Sequence, residues 1–231
     1  MADGNWLLVN ASPDLPQQIE SFPSLQPTSN RESRIAAVFL TNADIDHVLG
    51  LVLLRQHEQP LTVFSTPAIR DELRWVDNVL ARFSEIDWRD PPERFEQLAI
   101  EMVDLGRSVC WLFRNTETNK SVLVAPAAQA ITRELTDAMD RCDLVLFDGT
   151  FWSSDELSAP GFLEKSAEDL AHWPVGGETG SLAMLSTITA SRRVFIHINN
   201  TNPMVREDST ERRMIEAAGW SVAWDGMEIR L

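Results

Sequence analysis

Short, unbroken apolar runs constrain this chain most: IAAVFL at 35–40, LTVFST at 61–66, DLVLFD at 143–148 and RVFIHIN at 193–199. A run of that length, bounded by polar residues, predicts a strand buried on both faces, as in sheets covered by helices. Helical patterns lie between them. Val48, Leu49, Val52 and Leu53 give an apolar face from about Asp46, and Pro60 stops that helix. Pro67 opens a second helix over 68–82, and further helices are expected over 130–141, 181–190 and 208–218.

The remaining segments are read the same way. NWLLVN at 5–10 is a short strand, and 15–34 is partly helical. VCWLFR at 109–114 and SVLV at 121–124 pair as a hairpin across the polar NTETNK. Residues 153–171 are polar with helical stretches, Gly176, Gly177 and Gly180 mark a loop, and WSVAWDGMEIRL ends in two extended pieces. Strands alternating with helices, with some hairpins, imply an α/β fold whose sheets hold parallel and antiparallel pairs. The length of 231 residues fits one domain over 1–231.

Charge excludes some partners. Thirty-five acidic residues against 20 Lys and Arg leave a net charge of -15. Neither nucleic acid nor an anionic membrane surface is expected as a partner, because both need a basic face. No apolar run is long enough to span a bilayer, and the N-terminal residues lack the basic and apolar regions of a signal peptide, so the cytoplasm is expected. Cys110 and Cys142 lack metal-type spacing and read as buried thiols. GxSxG, Walker A, GxGxxG and paired CxxC motifs are all absent.

Candidate chemistry gathers where strands end, which is where layered α/β folds collect ligands. After the first apolar run come Asp44, Asp46 and His47, which either converge on one point or supply a helix N-cap. His197 sits between two isoleucines inside a strand, as a core histidine or a ligand, and the NNTN after it is a structural loop or a binding loop. Asp148, before Gly149 and Thr150, is an active-site carboxylate or a turn residue. His172 is a solvated loop histidine or a functional one, and His57 reads as a surface residue at a helix end.

Several segments resemble one family. NASPDL at 10–15, NADIDHVLGL at 42–51, LVLFDGTFW at 144–152, FIHINNTNP at 195–203 and AAGWSVAWDGMEIRL at 217–231 are similar to the PqqB family, a PQQ-biosynthesis branch of the metallo-β-lactamase superfamily. The resemblance implies an αββα sandwich with mixed sheets. The family begins with a strand, a glycine-rich loop and a zinc-holding cysteine cluster that have no match here, so the first edge strand is expected to be missing. The superfamily motif HxHxDH matches Asn42 to His47, where Asn42 and Asp44 replace the two early histidines and Asp46 and His47 keep the final pair. The late histidine matches His197, and the stretch matching the bridging aspartate, Leu123 to Ala127, has no carboxylate. A two-metal hydrolase is thereby disfavoured.

The resemblance leaves Asp46, His47 and His197 as metal ligands. Two histidines and a carboxylate suit a mononuclear Fe(II) centre that activates oxygen, with Zn(II) as the other candidate. It implies an iron-dependent hydroxylase acting on an amino acid-derived small molecule. Asp44 would be a base behind the ligands, Asp148 a catalytic carboxylate, and His172 a residue that orients or protonates substrate. A carrier for a cofactor precursor is the alternative, and a zinc hydrolase ranks third. A missing edge strand would favour a homodimer.

Overall fold

A computed structural model describes residues 5–29, 32–54 and 59–231. His57, read from sequence as a surface residue, lies outside the described residues. The chain divides into two compact units, Met1–Gln97 and Leu98–Leu231.

In the first unit, β1 (Trp6–Val9), β2 (Ile35–Phe39), β3 (Leu61–Phe64) and β4 (Ile86–Arg89) form an all-parallel sheet in that order, and a two-residue strand, β5 (Arg94–Phe95), follows β4 in the chain. Parallel strands need helical crossovers. These include α1 (Leu15–Ser21), α2 (Ile45–Val48), α3 (Gly50–Leu53), α4 (Pro67–Glu72) and α5 (Arg74–Leu80). Ala37, Val38 and Phe39 are fully buried, as the unbroken run predicts, and Phe39 stacks on Phe64 at 4.7 Å. Two expected helices are shorter than their patterns. The first breaks at Leu49 because the Gly50 N–H turns to the Ala11 carbonyl at 2.8 Å. A Cβ on Gly50 would meet that carbonyl oxygen at 2.8 Å, so only glycine seats α3 so closely. The second, over 68–82, divides at Leu73, whose side chain is fully buried.

The second unit carries a mixed sheet. Its strands β6 (Leu98–Asp104), β7 (Val109–Asn115), β8 (Ser121–Ala125), β9 (Leu144–Asp148), β10 (Arg192–Ile196) and β11 (Ser221–Val222) run in the spatial order β11-β10-β9-β8-β7-β6. β6, β7 and β8 are an antiparallel meander, while β8 to β11 are parallel. Crossovers include α6 (Arg133–Met139), α7 (Ser181–Met184) and α8 (Thr210–Ala217). Phe147, Phe195, Met204 and Trp220 lie in the core, with Trp220 stacked on Phe195 at 4.3 Å. Ser209 caps α8 by accepting the Arg212 N–H at 2.9 Å. Gly219 ends it in the left-handed region at φ +76, and Trp220 N reaches back to Ile215 O at 3.1 Å.

Several elements differ from those expected. β4 was not expected, and neither was β6. Its buried Ile100 and Val103 form an incomplete alternation, and its hairpin turn is set by Gly106 and the Asp104 carboxylate, which accepts the Gly106 N–H at 2.8 Å. The helix over 181–190 ends at Met184, and Thr189 further on is held by Asp140, which accepts its N–H at 2.6 Å. Residues 153–171 hold turns and one 3-10 turn, Glu168–Leu170. Only the first of the two terminal pieces is a strand, as β11 lies beside β10 whereas 227–231 forms no ladder.

Candidate metal centre

β9 and β10 are neighbouring parallel strands, and their register pairs Asp148 with Ile196. Asp148 is the last residue of β9, and His197 follows the last residue of β10. Topology alone therefore puts both at the carboxyl edge of one sheet. His197 is not inside a strand, as expected from its isoleucine neighbours. It has φ +55, in the left-handed region, so the chain turns out of the ladder there. His172 follows Ala171, also left-handed at φ +64, and is buried. Asp148, His172 and His197 each place a ligand-type atom within 4.8 Å of the others.

The carboxylate of Asp148 is fully buried, so its charge needs compensation. It gets four hydrogen bonds. Oδ1 accepts from Thr150 N at 3.0 Å and Thr150 Oγ1 at 2.6 Å, and Oδ2 accepts from Ala128 N at 2.9 Å and His172 Nδ1 at 2.8 Å. A carboxylate has about four acceptor sites, so this one is saturated. Asp148 is thus an anchor, and it would have to surrender a bond to ligate a metal itself.

Thr150 Oγ1 also lies 2.9 Å from His172 Nδ1 and 2.7 Å from His197 Nδ1. The two imidazole rings are nearly parallel, 19° apart with centroids at 5.2 Å. The loop after His197 holds this turn in place. Asn199 N bonds Thr150 O at 3.1 Å, and Asn202 Nδ2 bonds Gly149 O at 2.9 Å. Asn202 is buried and also caps the 3-10 turn at Pro203 by accepting Met204 N at 3.0 Å. The NNTN segment therefore serves a structural purpose. Glu156 adds a further tie, accepting from Trp152 N at 2.6 Å and from the Thr201 hydroxyl.

Trp173, next to His172 in sequence, and Trp152, two residues after Thr150, line a cavity of about 260 Å³ with Ser153, Glu168, Gly176 and Gly177. A Cβ on Gly176 would sit 2.5 Å from the Trp152 indole, so glycine is what lets that ring lie against the backbone.

In the first unit, His47 is buried on α2, and its Nδ1 lies 2.5 Å from Asn42 Oδ1 and 3.3 Å from Thr41 Oγ1. Asp44 occupies the N-cap position but makes no capping bond. Its carboxylate accepts from Asn42 Nδ2 at 2.6 Å. A carboxylate only accepts, so Asp44 fixes which end of the Asn42 amide is NH2, and the amide oxygen is left to face His47. Asn42, which stands where the superfamily has a histidine, thereby orients the one that remains. Asp46 is exposed in the first turn of α2.

Of the residues singled out from sequence, the structure joins Asp148, His172 and His197 in one cluster, and Asp44 and His47 through Asn42. Sequence reasoning gave no part to Thr150 or to Asn42 as an anchor. The available signal was a hydroxyl two residues after a strand-end aspartate.

The β-lactamase superfamily domain matches residues 5–198. Coenzyme PQQ synthesis protein B from Nitrosococcus oceani is 33% identical, covering 98% of this chain and 84% of that protein. The protein of the same name from Methylorubrum extorquens strain PA1 is 38% identical, covering 98% and 83%. The crystal structure of Zn2+-bound PqqB from Methylobacterium extorquens superposes with a TM-score of 0.90 at 35% identity, covering all of this chain and 85% of that one. A diphosphatase of the PhnP family, at 14% identity and a TM-score of 0.70, shares the fold alone. The chain has the metallo-β-lactamase fold and belongs to the β-lactamase superfamily and, within it, to the PQQ synthesis protein B family.

Proposed function

We propose that this chain is a mononuclear, metal-dependent hydroxylase acting on an amino acid-derived intermediate of PQQ synthesis, with iron as its working metal. One observation carries the reading. Asp148 and Thr150 together engage the Nδ1 side of both His172 and His197, so Nε2 is the atom each ring offers to a ligand. Histidines that hold metals are typically anchored in this way through the other ring nitrogen. The donor chemistry therefore fits a divalent ion. Asp46 and His47 belong to the same proposal on the strength of the sequence match.

When bound, iron would supply the redox chemistry with oxygen. In the net reaction one atom of O2 enters the substrate C–H bond and the other leaves as water, with two electrons from an added reductant and two protons. The chain's own residues position and shield. Trp152 and Trp173 offer aromatic walls to a small substrate, and His172 can orient it through Nε2. Asp148 keeps His172 in place, and Asp44 supports His47 through Asn42 rather than acting on substrate. A soluble cytoplasmic protein, paired as a homodimer along β1, completes the reading. Among the described residues no helix is long and apolar enough to cross a membrane.

The crystallised relative is zinc-bound, and imidazole and carboxylate donors accept either ion. A test loads the metal-free protein with Fe(II) or Zn(II) and follows oxygen uptake with aromatic amino acid-derived substrates and ascorbate. Uptake with Fe(II) alone supports the hydroxylase. Tight substrate binding with no turnover for either ion would instead point to the carrier role, and hydrolysis by the zinc form to a hydrolase.

A further inference from the structure

The hydrogen bonds around Thr150 fix more than position. Its hydroxyl has one proton to give and two lone pairs to share. Three groups lie within bonding distance of Oγ1: Asp148 Oδ1 at 2.6 Å, His197 Nδ1 at 2.7 Å and His172 Nδ1 at 2.9 Å. The Asp148 carboxylate is buried and can only accept, and its Oδ1 also takes the Thr150 N–H at 3.0 Å. The hydroxyl proton therefore goes to Asp148, and both lone pairs face the imidazoles. Each imidazole must then be the donor, which requires a proton on Nδ1 of both rings. His172 has one Nδ1 proton, shared between Thr150 Oγ1 and Asp148 Oδ2 at 2.8 Å, and the carboxylate alone requires it.

We infer that Thr150 is a positioning residue that places the proton of neutral His197 on Nδ1, as Asp148 does for His172, so that both neutral rings turn an unprotonated Nε2 to a metal or substrate. Asp148 thus acts on His172 directly and on His197 through the direction of the Thr150 hydroxyl. Gly149 makes the arrangement possible. Its N–H bonds Ile196 O at 2.8 Å, and a Cβ there would sit 2.6 Å from Met204 Cε, so a larger residue would push the Thr150 turn away from β10. The Nδ1 proton follows from the hydrogen bonds, whereas the use of Nε2 for a metal rests on the proposed function.

The test uses metal-free protein labelled with 15N-histidine, read by long-range proton–nitrogen correlation at a pH where neutral imidazole prevails. In wild type, both histidines should show a protonated Nδ1. Thr150→Ser keeps the hydroxyl and should keep both patterns. Thr150→Val keeps the shape and removes the hydroxyl. There His197 should lose its preference for the Nδ1 proton, while His172 keeps it through Asp148. Affinity for Zn(II), by chelator competition, should fall roughly 10- to 100-fold in Thr150→Val and recover in Thr150→Ser. A bare Nδ1 on either histidine of the wild type would overturn the inference, and this result needs no variant to fold. A Thr150→Val protein whose His197 pattern is unchanged would overturn it too. Failure of every form to bind metal would sink the proposed function, while the nitrogen spectra still decide the role of Thr150.

Discussion

Asp148 Oδ2 lies 2.8 Å from His172 Nδ1, and both side chains are buried. The pair joins the end of β9 to a loop residue 24 positions later. Replacing this carboxylate by an amide puts NH2 against groups that already donate, either Ala128 N–H and His172 Nδ1 on one side or the Thr150 N–H and hydroxyl on the other. Asp148→Asn should therefore cost about 3 kcal/mol of folding stability, the range for a buried charged acceptor left mismatched. Denaturant unfolding of the metal-free protein measures it, and an unchanged midpoint would refute the anchoring role.

Gly50 and Gly149 should be intolerant for a different reason. Alanine at Gly149 would crowd Met204 Cε at 2.6 Å, and alanine at Gly50 would crowd the Ala11 carbonyl oxygen at 2.8 Å. The first obstacle is the end of a flexible side chain, which can move, and the second is backbone, which cannot easily. Gly50→Ala should cost the more of the two, with overpacking of this kind worth about 1–3 kcal/mol. Thermal melts of the two variants rank them.

Burial pushes the Cys110 thiol up from 9.0 to about 12 and the Cys142 thiol up to about 11. Both should resist thiol reagents in the native protein near neutral pH and react once it unfolds. A raised native value means that the unfolded chain ionises first as pH rises. Stability is fully present below pH 9.0 and is lost progressively between there and about pH 12. Cys110→Ala should flatten that alkaline decline in a series of melts, and neither Cys110→Ala nor Cys142→Ala should change metal content.

Trp152 and Trp173 should matter for substrate rather than for metal. Both line the cavity of about 260 Å³, and neither is in the Asp148, His172, His197 cluster. Trp152→Ala should raise KM for an aromatic substrate roughly tenfold while metal stoichiometry stays the same, since an aromatic wall contributes about 1 kcal/mol beyond its buried area. Loss of metal in that variant would show that the cavity and the cluster are not separable.

Much of this architecture is legible in the sequence. The unbroken apolar runs predict β2, β3, β9 and β10 because strands covered on both faces need no alternation. β6 escapes notice because its alternation is partial. Helix ends are misjudged where a tertiary bond captures the backbone, as Ala11 captures Gly50 N. For the site, strand-end logic finds Asp148 and His197, and the family motif finds His47. Thr150 and Asn42 are not legible because their importance lies in which hydrogen-bond roles remain after a carboxylate has taken its share. That follows from three-dimensional partners rather than from spacing.

Metal content most directly tests the account. Protein purified without oxygen and reloaded with Fe(II) is analysed for its elements, in wild type and in His197→Ala. About one iron per chain in wild type, lost in the variant, is the predicted result for a mononuclear centre with His197 as a ligand. Full iron occupancy in His197→Ala, or no retained metal in wild type, would contradict it.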